Sequence, residues 1–219
     1  MNSEDKIKKA LIILLSQKNF DKISVTEICD EAHVSRVTFY KNFVDRQDVL
    51  NQIINEFTKK LDNVFSNRIN VLNPIDFSNI NVFKSSLMPH VLEIISFLYH
   101  EKDVIQVFMT TLDVYKRQFL YHEKDVIQVF MTTSSEVDIL KIIYDLFLTH
   151  FKTWLPQKFH LNYSPETLNQ YCDFLTRGSA LLIGNWFRKK FKQSPQEITT
   201  ILVNMIAPNL YGLYHRDNH

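Results

Sequence analysis

The side chains best suited to recognition chemistry stand together between residues 35 and 46. Ser35-Arg36-Val37-Thr38 combines two hydroxyl groups with a guanidinium and a small apolar side chain. A guanidinium can hydrogen-bond twice to guanine, and a small apolar group can contact a thymine methyl. The cations of this segment outnumber its single acidic residue, so it is locally basic; they are Arg36, Lys41 and Arg46. The mixture is typical of a nucleic-acid-binding surface, although an exposed helix face with one ordinary arginine would also contain it.

The elements that would position these groups are two short helices. Ser24-Val25-Thr26-Glu27 fits a capping box, in which the serine and the glutamate satisfy free backbone donors at a helix start. Ser35 is the N-cap candidate of the next helix, which should end near Phe43. His33 stands at the corner between them, and histidine is enriched in left-handed conformations. The pattern therefore predicts a helix-turn-helix whose second helix enters a major groove about 12 Å wide.

Helices are also predicted on both sides of this motif. Residues 4–18 carry an apolar stripe at helical spacing, with Ser3 available as N-cap. Asp45 can cap a long fourth helix, which continues to about residue 66. Its apolar stripe runs along one face and consists of Val49, Leu50, Ile53, Ile54, Phe57, Leu61, Val64 and Phe65. Tyr40 is either part of the recognition surface or an aromatic at the edge of this core.

A polar break at residues 70–81 separates a small N-terminal part from a larger remainder. We expect a helix-turn-helix domain at residues 1–50, extended by the fourth helix, and a C-terminal effector-binding and dimerisation domain at 67–219. Two terminal helices should start at Ser164-Pro165 and Ser194-Pro195, and their apolar surface exceeds what a small monomer covers. The aromatic-rich residues 144–154 could belong to the core or line an apolar ligand cavity.

Composition favours an all-α, soluble chain. Only three of the 219 residues are glycine, which is too few for a many-stranded β protein. Apolar runs are too short for a membrane span, so a cytoplasmic protein without a membrane partner is expected. No catalytic residue, metal site or cofactor is predicted, because the cysteines are isolated and His100-Glu101 has no nucleophile beside it. His215 and His219 have metal-pair spacing, but we interpret them as a frayed terminus.

An internal repeat interrupts the C-terminal part. Residues 97–111 read FLYHEKDVIQVFMTT, and residues 119–133 repeat the same fifteen letters after the linker LDVYKRQ. Repeat proteins consist of three or more diverged units, so a solenoid is not expected. The linker resembles the translation of a transposase adapter used for sequencing libraries. We interpret residues 112–133 as an artefact of the recorded gene, with a recent tandem duplication as the alternative, and expect the shorter chain to fold better.

The segment from Ser24 to Leu50, with Thr38-Phe39-Tyr40-Lys41-Asn42-Phe43 at its centre, resembles the DNA-binding domain of the TetR family of bacterial transcriptional regulators. The likeness extends over about residues 5–57. Near the C-terminus, Trp186 and Ser194 to Ile198 resemble a subgroup that includes dihydroxyacetone kinase operon activators. The resemblance implies phosphate contacts by Tyr40 and Arg46, with Thr26 near the DNA backbone. It implies base contacts by residues of the third helix, namely Ser35, Arg36, Val37 and Lys41.

The family resemblance also implies partners. A homodimer should bind a pseudo-palindromic operator in double-stranded DNA, because a single recognition helix buries too little surface for specificity. A small molecule or a partner protein of unknown identity should bind within residues 82–212 and change the affinity for DNA, and a repressor is expected. The alternative is a co-regulator of the same fold that acts through another protein. A helical enzyme or transport protein with an accidental corner motif is a distant third.

Overall fold

The computed structural model describes residues 2–71, 76–109, 139–158 and 163–216, and these residues form helices and their connections without any strand. The predicted all-α fold is therefore confirmed. A short 3-10 helix occupies Phe20–Lys22, and residues 102–109 are also helical. The longer elements are α1 (Ser3–Gln17), α2 (Val25–Ala32), α3 (Arg36–Asn42), α4 (Arg46–Val71), α5 (Ile80–His100), α6 (Ile139–Lys158), α7 (Pro165–Arg188) and α8 (Pro195–Arg216). None of the described helices is both long enough and apolar enough to cross a membrane.

The described chain divides into two compact units. The first contains residues 2–59, 103–109 and 139, and the second contains 60–71, 76–102, 140–158 and 163–216. The division falls within α4, upstream of the polar break at residues 70–81. The domain limits 1–50 and 67–219 stay a prediction. The repeat also stays untested, because the linker 112–118 and the second copy 119–133 lie outside the described residues.

The first unit is built from the apolar faces of α1 to α4. Leu11, Phe39 and Phe43 belong to the described side chains that are almost completely buried. Lys8 is also buried, with 6% of its surface exposed, and its ammonium pairs with the carboxylates of Glu4 and Glu56. Burial alone would lower the pKa of Lys8, but the two carboxylates together raise it above its usual value. This ion pair links α1 to α4.

The predicted N-cap of α1 is wrong by one residue. Asn2, not Ser3, is the cap, because its side-chain oxygen accepts a 2.7 Å hydrogen bond from the backbone N–H of Asp5. The Asp5 carboxylate accepts a bond from the Asn2 N–H in return. An Asn-x-x-Asp box therefore starts the helix one residue earlier than the serine would.

The second unit has an aromatic core between α5 and α8. Phe77 stacks on Phe83 and Tyr214, with ring centroids 4.6 and 4.0 Å apart. The predicted helix starts are confirmed, since Ser164 caps α7 and Ser194 forms a capping box with Glu197 at the start of α8. His215 donates a 3.1 Å hydrogen bond to the carbonyl of Phe77. The frayed end predicted there is wrong for His215, and His219 lies outside the described residues.

Left-handed backbone occurs in the described chain at residues that carry side chains. His33 has φ 53°, Lys190 has φ 54° and Phe191 has φ 56°, whereas no described glycine has positive φ. The three glycines, Gly178, Gly184 and Gly212, all lie inside α7 or α8. An L-residue in this conformation costs roughly 1–2 kcal/mol, so each of these corners must be stabilised by its surroundings.

Candidate nucleic-acid interface and ligand cavity

The corner between α2 and α3 has the geometry that the sequence predicts. Ser24 and Glu27 form the capping box of α2, and His33 ends this helix in the left-handed conformation. The backbone N–H of Val34 then bonds to the Cys29 carbonyl at 3.0 Å, which closes the last turn of α2. Ser35 follows as the N-cap of α3. The direction of α3 is therefore fixed by local hydrogen bonds and by one unusual backbone conformation.

The Glu27 carboxylate is held in its ionised form by this arrangement. Its pKa is lowered from 4.5 to about 2, first by the hydrogen bond from the Lys18 ammonium and then by bonds from Ser24. The ion pair connects the end of α1 to the start of α2. Charge and capping therefore act together on the helix that precedes α3.

One face of α3 is buried and the other is open to solvent. Phe39 is fully buried and packs against Phe43, with ring centroids 5.8 Å apart. On the opposite face Val37 is 80% exposed and Tyr40 is 59% exposed. Tyr40 contacts Phe39 edge-on at 5.4 Å, so its ring rests on the core while most of its surface faces water. Tyr40 therefore lies at the edge of the core, and its expected contact with DNA stays a prediction. The other exposed residues of this face are Ser35, Arg36 and Lys41.

Contacts within the protein hold several of the predicted DNA-binding side chains. The Ser35 hydroxyl accepts a 3.1 Å bond from the Thr38 N–H and lies 2.9 Å from the Thr38 hydroxyl. The Arg36 guanidinium donates to the hydroxyl of Thr26 in α2. This bond joins the starts of α2 and α3, so the structure brings Thr26 and Arg36 into one surface before any partner binds.

Arg46 has a role that the sequence did not suggest. Its Nη1 donates to the carbonyl oxygens of Phe20 and Asp21, at 2.9 and 3.0 Å, and to the carbonyl of Ile23. The guanidinium also lies 4.8 Å from the ring centroid of Phe20. These contacts satisfy the carbonyls of the 3-10 helix and tie it to the start of α4. Arg46 is therefore a positioning residue, and its expected phosphate contact stays a prediction.

Val44 is a strongly exposed apolar residue at a position where related sequences often have a basic residue or glycine. It lies in the connection between α3 and α4 and is 79% exposed. Its backbone N–H donates a 2.9 Å bond to the Asp48 carboxylate, while the Asp45 carboxylate accepts a 2.8 Å bond from the Asp48 N–H. The predicted cap at Asp45 is confirmed.

A second candidate site is an apolar cavity of about 120 Å³ within the second unit. The segment 144–154 contributes Phe147, Phe151 and Trp154 to its wall, and the binding of a ligand there stays a prediction. Helix α4 contributes Phe65, whose ring contacts Phe147 edge-on at 4.7 Å and stacks on His150 at 4.9 Å. The lining residues are Phe65, His90, Val91, Ile94, Ile95, Phe147, His150, Phe151, Trp154, Leu202 and Ile206.

His150 connects the cavity wall to α4 by a polar contact as well. Its Nε2–H donates a 2.9 Å hydrogen bond to the carboxylate of Asp62, which is half exposed. Asp62 and Phe65 lie one helical turn apart on α4, so a single turn of this helix makes both contacts to His150. A molecule in the cavity would therefore touch side chains that hold α6 against α4.

A short helix pair with a tight left-handed corner and an exposed second helix defines a helix-turn-helix DNA-binding protein. Family models agree: "Bacterial regulatory proteins, tetR family" matches residues 7–53, and "Transcriptional regulator C-terminal region" matches residues 115–208. The chain belongs to the TetR family of bacterial regulatory proteins, and it is a DNA-binding transcriptional regulator.

Solved structures share this fold at low sequence identity. Dihydroxyacetone kinase operon activator DhaS is 16% identical, with 97% of this chain and 98% of that chain covered and a TM-score of 0.55. The fatty acid degradation regulator FadR from Bacillus halodurans is 14% identical, with coverage of 94% and 95% and a TM-score of 0.56. A TetR-family regulator from Syntrophomonas wolfei is 13% identical, with 96% of each chain covered and a TM-score of 0.54. No curated protein sequence matches the chain.

Proposed function

We propose that this regulator is a homodimeric repressor that reads a pseudo-palindromic operator with one α3 from each protomer. The exposed face of α3, held by the corner at His33, is the observation that carries the proposal. Ser35, Arg36, Val37 and Lys41 contact bases in the major groove. Tyr40 contacts phosphate at the edge of the groove, with Thr26 and Thr38 close to the DNA backbone.

Genomic footprinting tests the reading of DNA. Wild-type protein should protect a pseudo-palindromic site, and Arg36→Ala with Tyr40→Phe should abolish the protection. Loss of a bidentate arginine–guanine contact alone removes about 1–3 kcal/mol of discrimination. Arg177→Ala is a matched control, because Arg177 is a partly exposed arginine of α7 that pairs with Asp173. Unchanged occupancy of the double variant would show that this face does not read DNA.

The dimer interface is proposed on α7 and α8. Phe174 and Leu181 are exposed two turns apart on α7, and Met205 is exposed on α8. Gly178 lies between the two α7 residues, and a Cβ added there would meet no atom within 4 Å. An exposed apolar face with such a notch suits close approach of a helix from a second copy. Leu181→Glu should convert the dimer to monomers in analytical ultracentrifugation, whereas Leu181→Met should not.

The cavity of the second unit is proposed as the effector site. An engineered cavity of about 150 Å³ with aliphatic and aromatic walls binds benzene, so about 120 Å³ suits one ring or a short alkyl chain. An uncharged ligand is favoured, because burying an unpaired charge against these side chains is costly. Ligand binding changes operator affinity only through a difference in affinity between two conformations.

Titration calorimetry with three single-ring probes tests this assignment. Benzyl alcohol should bind more tightly than benzoate or benzylamine, which carry a negative and a positive charge on the same ring. Its affinity should change when operator DNA is present, because coupling between two sites is reciprocal. If the affinity for benzyl alcohol were the same with and without operator DNA, the cavity would not be a regulatory site. Ile206→Trp, which fills the cavity, is the matched control for binding inside it.

The alternative is a co-regulator that acts through another protein. DhaS, which shares the fold, is described as an operon activator, so the fold alone does not imply repression. Genomic footprinting that shows no protected DNA site, together with the identification of a protein partner, would favour this alternative.

A further inference from the structure

The connection between α7 and α8 is an exposed basic corner, defined here as residues 188–192. Four of its five residues, Arg188, Lys189, Lys190 and Lys192, are cationic and exposed. The whole chain has a net charge of only +1. These four charges are therefore a large local surplus on a nearly neutral protein.

The fifth residue of the basic corner anchors it to the core of the second unit. Phe191 is 7% exposed, and its ring lies 4.8 Å from Trp186 and 5.1 Å from Phe187. The indole N–H of Trp186 donates a 2.9 Å bond to the carbonyl of Gln193, on the far side of the corner. The cations therefore project from a fixed backbone, so less conformational entropy is lost when they bind a partner.

A further cation extends the same surface. Tyr99 packs against both Trp186 and Phe191, at 6.1 and 6.0 Å, and the Lys102 ammonium lies 4.7 Å from the Tyr99 ring. Glu197, whose carboxylate accepts hydrogen bonds from Ser194, adds one negative charge nearby, so the four cations of the corner keep a positive surplus. Four exposed cations and the half-buried Lys102 therefore belong to this surface, and cations on an open surface fit an extended polyanion better than a small enclosed anion.

DNA is the polyanion that this protein binds as a transcriptional regulator, and its phosphate backbone carries the negative charge. Residues 1–50 contain eight Lys or Arg and eight Asp or Glu, so the helix-turn-helix part adds no net positive charge. Arg46, one of its cations, is engaged with carbonyl oxygens. Because phosphate contacts supply most of the non-specific affinity for DNA, cations elsewhere on the protein would increase that affinity. We propose that the basic corner is a second DNA contact, which binds phosphates of the duplex without reading its bases.

The test measures the salt dependence of binding to a fluorescein-labelled duplex of random sequence. The full-length variant Lys189→Gln, Lys190→Asn, Lys192→Gln removes three charges, and asparagine suits the left-handed position 190. The slope of log K against log salt concentration is negative, and each phosphate contact adds about 0.9 to its magnitude. Loss of three contacts should therefore reduce this magnitude by about 2.7 per bound protomer. Between about 50 and about 200 mM salt, wild-type protein should lose roughly 40-fold more affinity than the variant.

Two matched variants complete the experiment. Lys84→Gln, Lys141→Gln, Lys152→Gln removes the same charge from other surfaces of the second unit, and its slope should stay close to that of wild type. Lys189→Arg with Lys192→Arg keeps the charge and should keep the slope. A wild-type slope in the corner variant would overturn the proposal, as would an equal decrease in the first control. Arg36→Ala, which tests base reading, should leave this non-specific slope within about one unit of wild type, so the two proposals fail separately.

Discussion

The corner between α2 and α3 and the corner between α7 and α8 both use left-handed residues other than glycine, but they stabilise them differently. His33 is exposed, and hydrogen bonds around it hold its conformation. Phe191 is buried among aromatic rings, so its side chain contributes to the stability of the corner. The comparison suggests that the first corner depends on backbone conformation, whereas the second depends on side-chain packing.

The largest expected difference between the corners comes from Phe191→Ala. Removing a buried phenylalanine side chain typically destabilises a protein by about 3–5 kcal/mol, because apolar contacts are lost and a cavity forms. His33→Ala removes an exposed ring and should cost less than about 1 kcal/mol. Urea unfolding followed by far-UV circular dichroism measures both. Equal losses in the two variants would contradict the distinction.

Substitution of two equivalent caps should separate stability from DNA binding. Ser35 and Ser164 each accept a bond from the N–H of a threonine three residues later, at 3.1 and 3.2 Å. Ser35→Ala and Ser164→Ala should each cost about 1 kcal/mol of stability. Only Ser35→Ala should also weaken DNA binding, because Ser35 starts α3. If Ser164→Ala weakened DNA binding as much, the effect would be global and not local to α3.

A glycine substitution tests the backbone strain directly. His33→Gly should stabilise the first unit by up to about 1 kcal/mol, because glycine adopts positive φ without steric cost, although its greater freedom when unfolded offsets part of the gain. Phe191→Gly should destabilise the second unit in spite of the same relief of strain. Thermal unfolding of the two variants gives the comparison, and a stabilised Phe191→Gly would show that packing does not hold this corner.

Much of the first corner could be predicted from the sequence, because its determinants are local. Ser24, Ser35 and the corner residue His33 each act within a few positions of the chain. The contacts of Arg46 could not be predicted in this way, since its partners lie 23 to 26 residues earlier. The left-handed pair Lys190 and Phe191 was missed for a similar reason. Aromatic packing around Phe191 stabilises the pair, and no local sequence pattern predicts this packing.

The cavity shows the same limit on a larger scale. Its wall combines residues from α4, α5, α6 and α8, so its volume depends on how four separate helices pack. The sequence indicated that residues 144–154 were aromatic and amphipathic, which fits both core and cavity. Only the packed structure distinguishes a filled interior from one with space for a ligand.

The smallest expected effect concerns pH. The pKa of Glu27 falls from 4.5 to about 2 on folding, so its contribution to stability is complete above pH 4.5 and is lost as the pH falls toward 2. Glu27→Gln should flatten the dependence of the melting temperature on pH in this window. The pKa of Glu197 at the second corner is lowered by Ser194 alone among the bonded side chains. Glu197→Gln should therefore change the profile less, and a larger change would contradict the role of Lys18.

The two tryptophans of the chain are distributed in a way that separates the two units optically. Trp154 lines the cavity, and Trp186 packs beneath the basic corner, so both belong to the second unit. Tryptophan fluorescence therefore reports on the second unit alone, because the helix-turn-helix contains no tryptophan. A ligand in the cavity should quench or shift one fluorophore and a polyanion at the corner should perturb the other, so Trp154→Phe and Trp186→Phe would assign each signal to its site.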